Sequence, residues 1–324
     1  MTSTTSGLVA GLCVAVLAAG AALAEQHGHS HDHAWTDSPW GSEDEIGAAN
    51  RVTPEVVLEA AKLITTGKTY PLGIVIGSDT PAFPPRSMSV SILQPGQVSG
   101  GSLGPTETTY NDDIFMGWLG IGSQIDGLGH IGHGDTYYNG FKASEFAQAG
   151  GLTRLGVEKI PPIVARGVLL DMAAFHGKDM LEEGTAYTRE DIISAADQQG
   201  VELRENDVVL FHSGWMKLLE EGGDPVRFGS VEPGLGKTGA EYLAELGVIA
   251  VGADTWGLEA VPFEEGVGVF EVHQILLAQH GIYILENMNT SILIEDDVSE
   301  FMFVLGAARI QGAVQMMVNP VAIR

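Results

Sequence analysis

The residues best suited to chemistry fall in one glycine-rich run, Gly122 to Phe141, which reads GSQIDGLGHIGHGDTYYNGF. In an extended segment side chains alternate between faces, so Gln124 and Asp126 point the same way. Gly127 and Gly129 then allow the backbone to bend and turn His130 back toward them. An amide oxygen, a carboxylate and an imidazole gathered at one point can bind a divalent cation. A solvated turn would use the same residues, so spacing alone leaves both readings open.

A second set of donors lies in FEVHQILLAQHGIYILEN, where a helix carries His273, Gly281 stops it, and a strand carries Glu286. A helix from His273 to Gly281 advances roughly 12 Å, and a strand from Gly281 to Glu286 returns roughly 16 Å. An antiparallel helix and strand would therefore bring both side chains to one end. The same residues could equally be a helix-face histidine and a strand-end carboxylate with no shared task.

The run from Gly120 to His130 resembles the metal-binding motif of the cyclase family of hydrolases, which includes kynurenine formamidase and isatin hydrolase. That motif reads His-x-Gly-Thr-His-x-Asp-x-Pro-x-His. Its Asp falls on Asp126 and its last His on His130, while its middle His meets Gln124 and its first His meets Gly120. Ser123 stands for the Thr and Leu128 for the Pro. The resemblance continues through WGSEDEIGAANRVTPE, GVLLDMA, DVVLFHSGW, GVIAVGADTW, VHQILLAQHGIYILEN and NPVAIR. It implies a compact α/β fold of mixed sheet, the swivelling β/β/α type, with His273 and Glu286 as the downstream metal ligands. The implied ligand set is then Gln124, Asp126, His130, His273 and Glu286. Two imidazoles of the family pattern are absent, so one tightly held ion is expected.

That set has no soft donor, which suits Zn²⁺ or Mn²⁺ without choosing between them. A bound divalent ion brings its water toward a pKa of about 7 and polarises a carbonyl, the chemistry of amide, lactam or ester hydrolysis. Either His130 or Glu286 would act as general base. His133 and His212 are candidates for orienting substrate or stabilising an oxyanion. Trp118, Trp215, Trp256, Tyr137 and Tyr138 are candidate walls of an aromatic pocket.

The elements that must position these groups alternate. Thr53 caps a helix opened by Pro54, with Gly67 as its expected stop. PLGIVIG and MSVSIL read as strands, Pro81 to Asn111 as loops that roof a pocket, and Lys142 to Gly150 as helix. GVLLDMA reads as a buried strand and TREDIISAADQQG as a capped helix. DVVLFHSGW and GVIAVGADTW are strands separated by the helix KTGAEYLAELG. Helices alternating with strands indicate an α/β fold, and the strand-rich tail from Phe301 to Arg324 indicates mixed pairing.

Residues 1–24 carry no charge, hold an apolar core from Leu8 to Leu23, and end on Ala22-Leu23-Ala24. This is the pattern of a signal peptide, so the protein is expected in the periplasm or secreted. Residues 25–39 follow as a flexible histidine-rich tail, and 40–324 as a single hydrolase domain. Cys13, the sole cysteine, would leave with the signal, which excludes thiol catalysis and cysteine-held zinc. With 42 acidic against 16 basic residues, binding to nucleic acid or an anionic membrane is disfavoured. The expected partners are a small-molecule substrate and further copies of the chain. The leading reading is an exported metal-dependent hydrolase; the alternatives are a periplasmic metal-delivery protein, suggested by the histidine tract, and a lyase or cyclase using the same metal. No phosphate-binding loop of the Gly-x-x-x-x-Gly-Lys-Ser/Thr type supports another enzyme class.

Overall fold

A computed structural model of the chain describes residues 37–94 and 101–324. Its centre is a nine-stranded mixed sheet. In chain order the strands are β1 (Thr69–Pro71), β2 (Gln124–Asp126), β3 (Ile163–Asp171), β4 (Val208–His212), β5 (Ala250–Ala253), β6 (Tyr283–Glu286), β7 (Glu300–Leu305), β8 (Gln315–Met317) and β9 (Val321–Ile323). Across the sheet they run β1-β9-β7-β3-β4-β5-β6-β2-β8. The four from β3 to β6 are parallel. Every outer pairing is antiparallel.

Burial explains that division. β4, β5 and β6 are buried at every position, as strands covered on both faces must be. β7 alternates half-buried and buried residues, as a strand with one covered face does. The parallel crossovers are helical: α2 (Arg189–Gln199) joins β3 to β4, and α3 (Lys237–Leu246) joins β4 to β5. Thr188 and Asp191 form a capping box at the start of α2, and Gly200 ends it in a left-handed conformation. The last crossover opens as a short helical turn, Glu271–His273, and widens into the π-helical Gln274–Gln279. Gly281 then turns the chain into β6 at φ +65°, where a Cβ would lie 2.5 Å from the Tyr138 ring.

Several expected boundaries shift. Helix α1 (Pro54–Ala61) is capped by Thr53 as expected but stops well before Gly67. The amides of Lys62, Leu63 and Ile64 turn back to carbonyls three residues earlier, which closes the helix in tight turns, and beyond it the amides of Thr66 and Gly67 donate to the Arg324 carbonyl at 2.9 and 2.6 Å. PLGIVIG is strand only as far as Pro71, because Gly73 N and Ile74 N bond to the side chains of Asn319 and Ser123 rather than to a ladder. The helix expected over Lys142 to Gly150 is limited to Ala143–Phe146, since Ala147–Gln148 pairs with Gly151–Leu152. MSVSIL forms a strand, paired with Asp112–Gly117 as a hairpin whose residues are largely exposed. No helix among the described residues is long and apolar enough to cross a membrane. The expected signal peptide and most of the histidine-rich tail, residues 1–36, lie outside the described residues.

Candidate metal centre

β2 sets the site. Its alternation sends Ile125 into the core and puts Gln124 and Asp126 on the opposite face. β6 and β8 flank it, and the register places Glu286 directly across from Gln124 and Gln315 directly across from Asp126. The Gln124 amide nitrogen donates to Asp126 Oδ1 at 3.2 Å and to Glu286 Oε2 at 2.5 Å. The Gln315 amide nitrogen donates to the same Asp126 Oδ1 at 2.7 Å. Gln124, expected to offer its oxygen to a metal, thus uses its nitrogen to hold the carboxylates of its neighbours.

Asp126 Oδ2 is left without a hydrogen-bond partner although the residue is fully buried. An unpaired buried carboxylate oxygen costs several kcal/mol unless something positive reaches it. Around it lie His273 Nε2 at 3.8 Å and His130 Nε2 at 3.9 Å. His273 Nε2 is also 3.4 Å from Glu286 Oε1. Two donors each about 2.1 Å from one tetrahedral ion sit roughly 3.4 Å apart, the separation of His273 Nε2 from Glu286 Oε1, while both contacts to Asp126 Oδ2 are too long for hydrogen bonds. Asp126, His273 and Glu286 bring one ligand atom apiece within 4.8 Å of one another. Oxygen and imidazole donors with no thiolate fit a borderline divalent ion.

The protonation of these groups reflects crowded negative charge. Burial and then the Asp126 charge push Glu286 up to about 8. Burial pulls His273 down, but its hydrogen bonds to Glu259 and Glu286 outweigh that and hold it at about 10. His130 is pushed below the ordinary histidine value by burial, with the nearby His273 adding to the effect and Asp126 opposing it. Glu232 is raised well above the carboxylate range, by burial and by Glu286. A site that must retain protons to tolerate its own carboxylates is one that a divalent cation would neutralise.

Sequence reasoning missed four residues here. Glu259 Oε1 accepts from His273 Nδ1 at 2.5 Å and from its backbone N at 3.3 Å, which fixes the ring with Nε2 facing the carboxylates. Gln315 holds Asp126. Glu232 Oε2 receives the amides of Trp256 and Gly257, at 2.7 and 3.1 Å. Arg86 donates from Nη1 to the Gly120 carbonyl at 2.8 Å and reaches the same cavity. None of the four stands in a local motif; the sheet register and the fold of loops bring them in.

A cavity of about 200 Å³ opens onto the centre, walled by Phe83, Arg86, His130, Ile131, Trp256 and Phe270, with His273 and Glu286 at its base. Phe83 stacks on Trp256 at 5.7 Å and meets Phe270 edge-on at 6.3 Å. Of the expected aromatic walls, Trp256 is there. Trp215 is fully buried in the same cluster as Trp256 but does not line the cavity, Tyr138 donates to Asp44 and Ser38 near the start of the domain, and Trp118 is exposed. His212 bonds to Thr290 at 2.7 Å and lies 3.4 Å from Asp254, and His133 is exposed in a turn with Thr136. Neither lines the cavity.

The Cyclase family model matches residues 70–260, more than half of the chain. The chain belongs to the Cyclase family. As a Cyclase-family protein it is similar to a solved structure described as a novel cyclase, with 30% identity and a TM-score of 0.79 over 88% of this chain and 98% of that one. It also shares its fold with an isatin hydrolase solved with the product analogue thioisatinate, with 15% identity and a TM-score of 0.58 over 84% and 98% of the two chains. The isatin hydrolase A of Labrenzia aggregata, solved with benzyl benzoate, matches with 17% identity and a TM-score of 0.55 over 79% and 93%. No curated protein matches the chain.

Proposed function

We propose that this Cyclase-family protein is an exported metal-dependent hydrolase of a small amide, lactam or ester. The observation that carries the reading is Asp126 Oδ2, buried and unpartnered where the imidazoles of His130 and His273 converge. Asp126, His273 and Glu286 would hold the ion, Zn²⁺ or Mn²⁺. When bound, such an ion supplies Lewis acidity to a carbonyl and acidifies water.

The remaining work falls to side chains. Glu286 has Oε2 engaged by Gln124 and Oε1 turned to His273, so both of its oxygens face inward to the cluster. His130 lies on the cavity wall with its side chain 19% exposed, and burial keeps it neutral at neutral pH. Nε2 of His130 is therefore the atom to take a proton from water and return it to the leaving group. Phe83, Trp256 and Phe270 offer apolar surface beside the reacting centre. Glu259 holds His273 in one tautomer throughout.

The test is elemental analysis of purified protein, followed by assay on N-formyl arylamines, isatin-like lactams and small lactones with and without chelator. Activity that survives complete metal removal would refute the reading. His130→Asn should lower kcat by about a hundredfold or more while the metal stays bound. Loss of the ion in that variant would instead make His130 a ligand.

A further inference from the structure

One buried carboxyl near the centre takes no part in holding an ion. Glu232 is fully buried and forms no ion pair among the described residues, and its Oε1 has no hydrogen-bond partner. Its Oε2 accepts two backbone amides, Trp256 N at 2.7 Å and Gly257 N at 3.1 Å. A buried charge with no cation paired to it is costly, so a carboxyl in such a place is held protonated, with its carbonyl oxygen as the acceptor. Burial and the Glu286 charge raise it well above the carboxylate range, against the pull of those two amides and of His273.

What Glu232 holds is the turn at residues 256–259, which carries two working parts of the site. Trp256 and Gly257 line the cavity, and Trp256 stacks on Phe83 at 5.7 Å. Two residues beyond Gly257, Glu259 accepts from His273 Nδ1. Between them Leu258 is buried in the left-handed region at φ +64°, a conformation that a leucine adopts only where its surroundings impose it. The Glu259 amide closes the turn on the Gly257 carbonyl at 2.7 Å. Glu232 grips this segment from both ends: its side chain takes the amides of Trp256 and Gly257, and its backbone exchanges two hydrogen bonds with Val261, at 2.9 Å each. The neighbouring Val231 carbonyl accepts from the Trp256 ring nitrogen at 3.4 Å, so backbone and indole are fixed from the same strip of chain. The fit is close, since a Cβ on Gly257 would fall 2.9 Å from Glu232 Oε1.

From this we infer that Glu232 is a positioning residue for the reaction: as a hydrogen-bond acceptor it clamps the turn at 256–259 and so sets the aromatic wall against which substrate binds. It lies behind the cavity lining and acts through Trp256. The inference deepens the hydrolase reading of the same site and rests on it for its kinetic consequence.

The test uses metal-loaded protein and the variants Glu232→Gln, Glu232→Ala and Gly257→Ala. Deuterium exchange of the Trp256 and Gly257 amides is followed by NMR, and kcat and KM are measured for formanilide alongside metal content. Glutamine keeps an acceptor oxygen, so Glu232→Gln should hold amide protection, kcat and KM within about threefold of wild type. Glu232→Ala leaves both amides unpaired, so their exchange should quicken and KM should rise, each by about tenfold, with kcat within about threefold and metal unchanged. Gly257→Ala forces the carboxyl away from the turn, so amide exchange in that variant reads the same contact even where Glu232→Ala fails to fold. Amide protection unchanged in the alanine variants overturns the inference. So does a Glu232→Gln variant as impaired as Glu232→Ala, which would make the charge essential, and so does metal loss in Glu232→Ala, which would make Glu232 a support of the centre. A fall in kcat with KM unchanged also overturns it, since the effect would then reach the chemistry and not the wall. Exchange is read without substrate, so the two readings fail separately. Protection lost in Glu232→Ala and kept in Glu232→Gln, with no hydrolysis in wild type, refutes the hydrolase alone; metal-dependent hydrolysis with protection and KM unchanged in Glu232→Ala refutes the clamp alone.

Discussion

Replacing Glu259 with Gln removes one charge behind the metal centre while leaving the volume of the side chain almost unchanged. Glu259 is buried, and its Oε1 is the acceptor for His273 Nδ1 at 2.5 Å, so Nδ1 keeps its proton and it is Nε2, facing Asp126 and Glu286, that would give up its own to bind an ion. A glutamine can still accept with its oxygen, but it can equally present its NH₂ to Nδ1, which would favour the wrong tautomer. Losing such a partner behind a ligating histidine typically weakens metal binding ten- to hundredfold, or about 1.4–2.8 kcal/mol. The assay is a competition titration against a chelator of known affinity, paired with kcat at saturating metal. Affinity should fall within that range and kcat should stay within a few-fold, because Glu259 acts through His273 and touches no substrate. The pKa of the metal-free His273, about 10 in the parent, should also drop, since its bond to Glu259 is the largest influence raising it. Metal affinity within twofold of wild type would refute the argument, and so would a loss of kcat as large as the loss of affinity.

Asp126→Ala should lose the ion and the activity together, since Oδ2 is the unpartnered buried donor; elemental analysis that finds full metal retention would place the site elsewhere. Gln124→His should keep one equivalent of metal and invites a second count, because it restores a nitrogen donor next to Glu286; two equivalents already present in wild type would contradict the single-ion expectation. Without metal, Glu286 at about 8 and His273 at about 10 both bind protons more tightly than in the unfolded chain. The metal-free protein should therefore lose stability, on the order of a few kcal/mol, as pH rises from about 5 through 8 and on toward 10. Metal affinity should rise over the same window as those protons leave, and thermal melts of both forms from pH 5 to 9 would show it. Deleting His27 to His33 should leave kcat at saturating metal unchanged, and intact-mass measurement of exported protein should show a chain beginning at Glu25.

What could be read in the sequence was whatever depends on near neighbours. Asp126 shares a face with Gln124 because a strand has period two, and Thr188 caps α2 because Asp191 lies three residues on. Arithmetic on a helix and a strand allowed His273 and Glu286 to meet and the family resemblance paired them, and their atoms lie 3.4 Å apart even though part of that helix is π-helical. Helix ends were less legible: α1 stops early because the amides of Lys62 to Ile64 tighten onto carbonyls three residues back, and the chain then runs to a contact with the Arg324 carbonyl. Glu259, Gln315 and Arg86 were illegible for the same kind of reason, since each reaches the site from far along the chain.

Gly120 shows how sequence and structure explain each other. It stands where the resembling motif has its first histidine, and from sequence it looked like a missing ligand. A Cβ at that position would fall 2.3 Å from Gln315 Oε1 and 2.6 Å from its Cδ. The space is already taken by a glutamine that enters on β8 and donates to Asp126 at 2.7 Å. Gln124 stands at the second missing histidine and donates to Asp126 and Glu286. At one position an amide replaces the imidazole, and at the other glycine makes room for an amide from a different strand; both amides use their nitrogens to orient carboxylates. Such a pair of changes strips nitrogen donors from a second ion while fixing the oxygens that serve the first. The glycine and the two glutamines thus act as one device, and restoring histidine at 120 alone should clash with Gln315 rather than recruit metal.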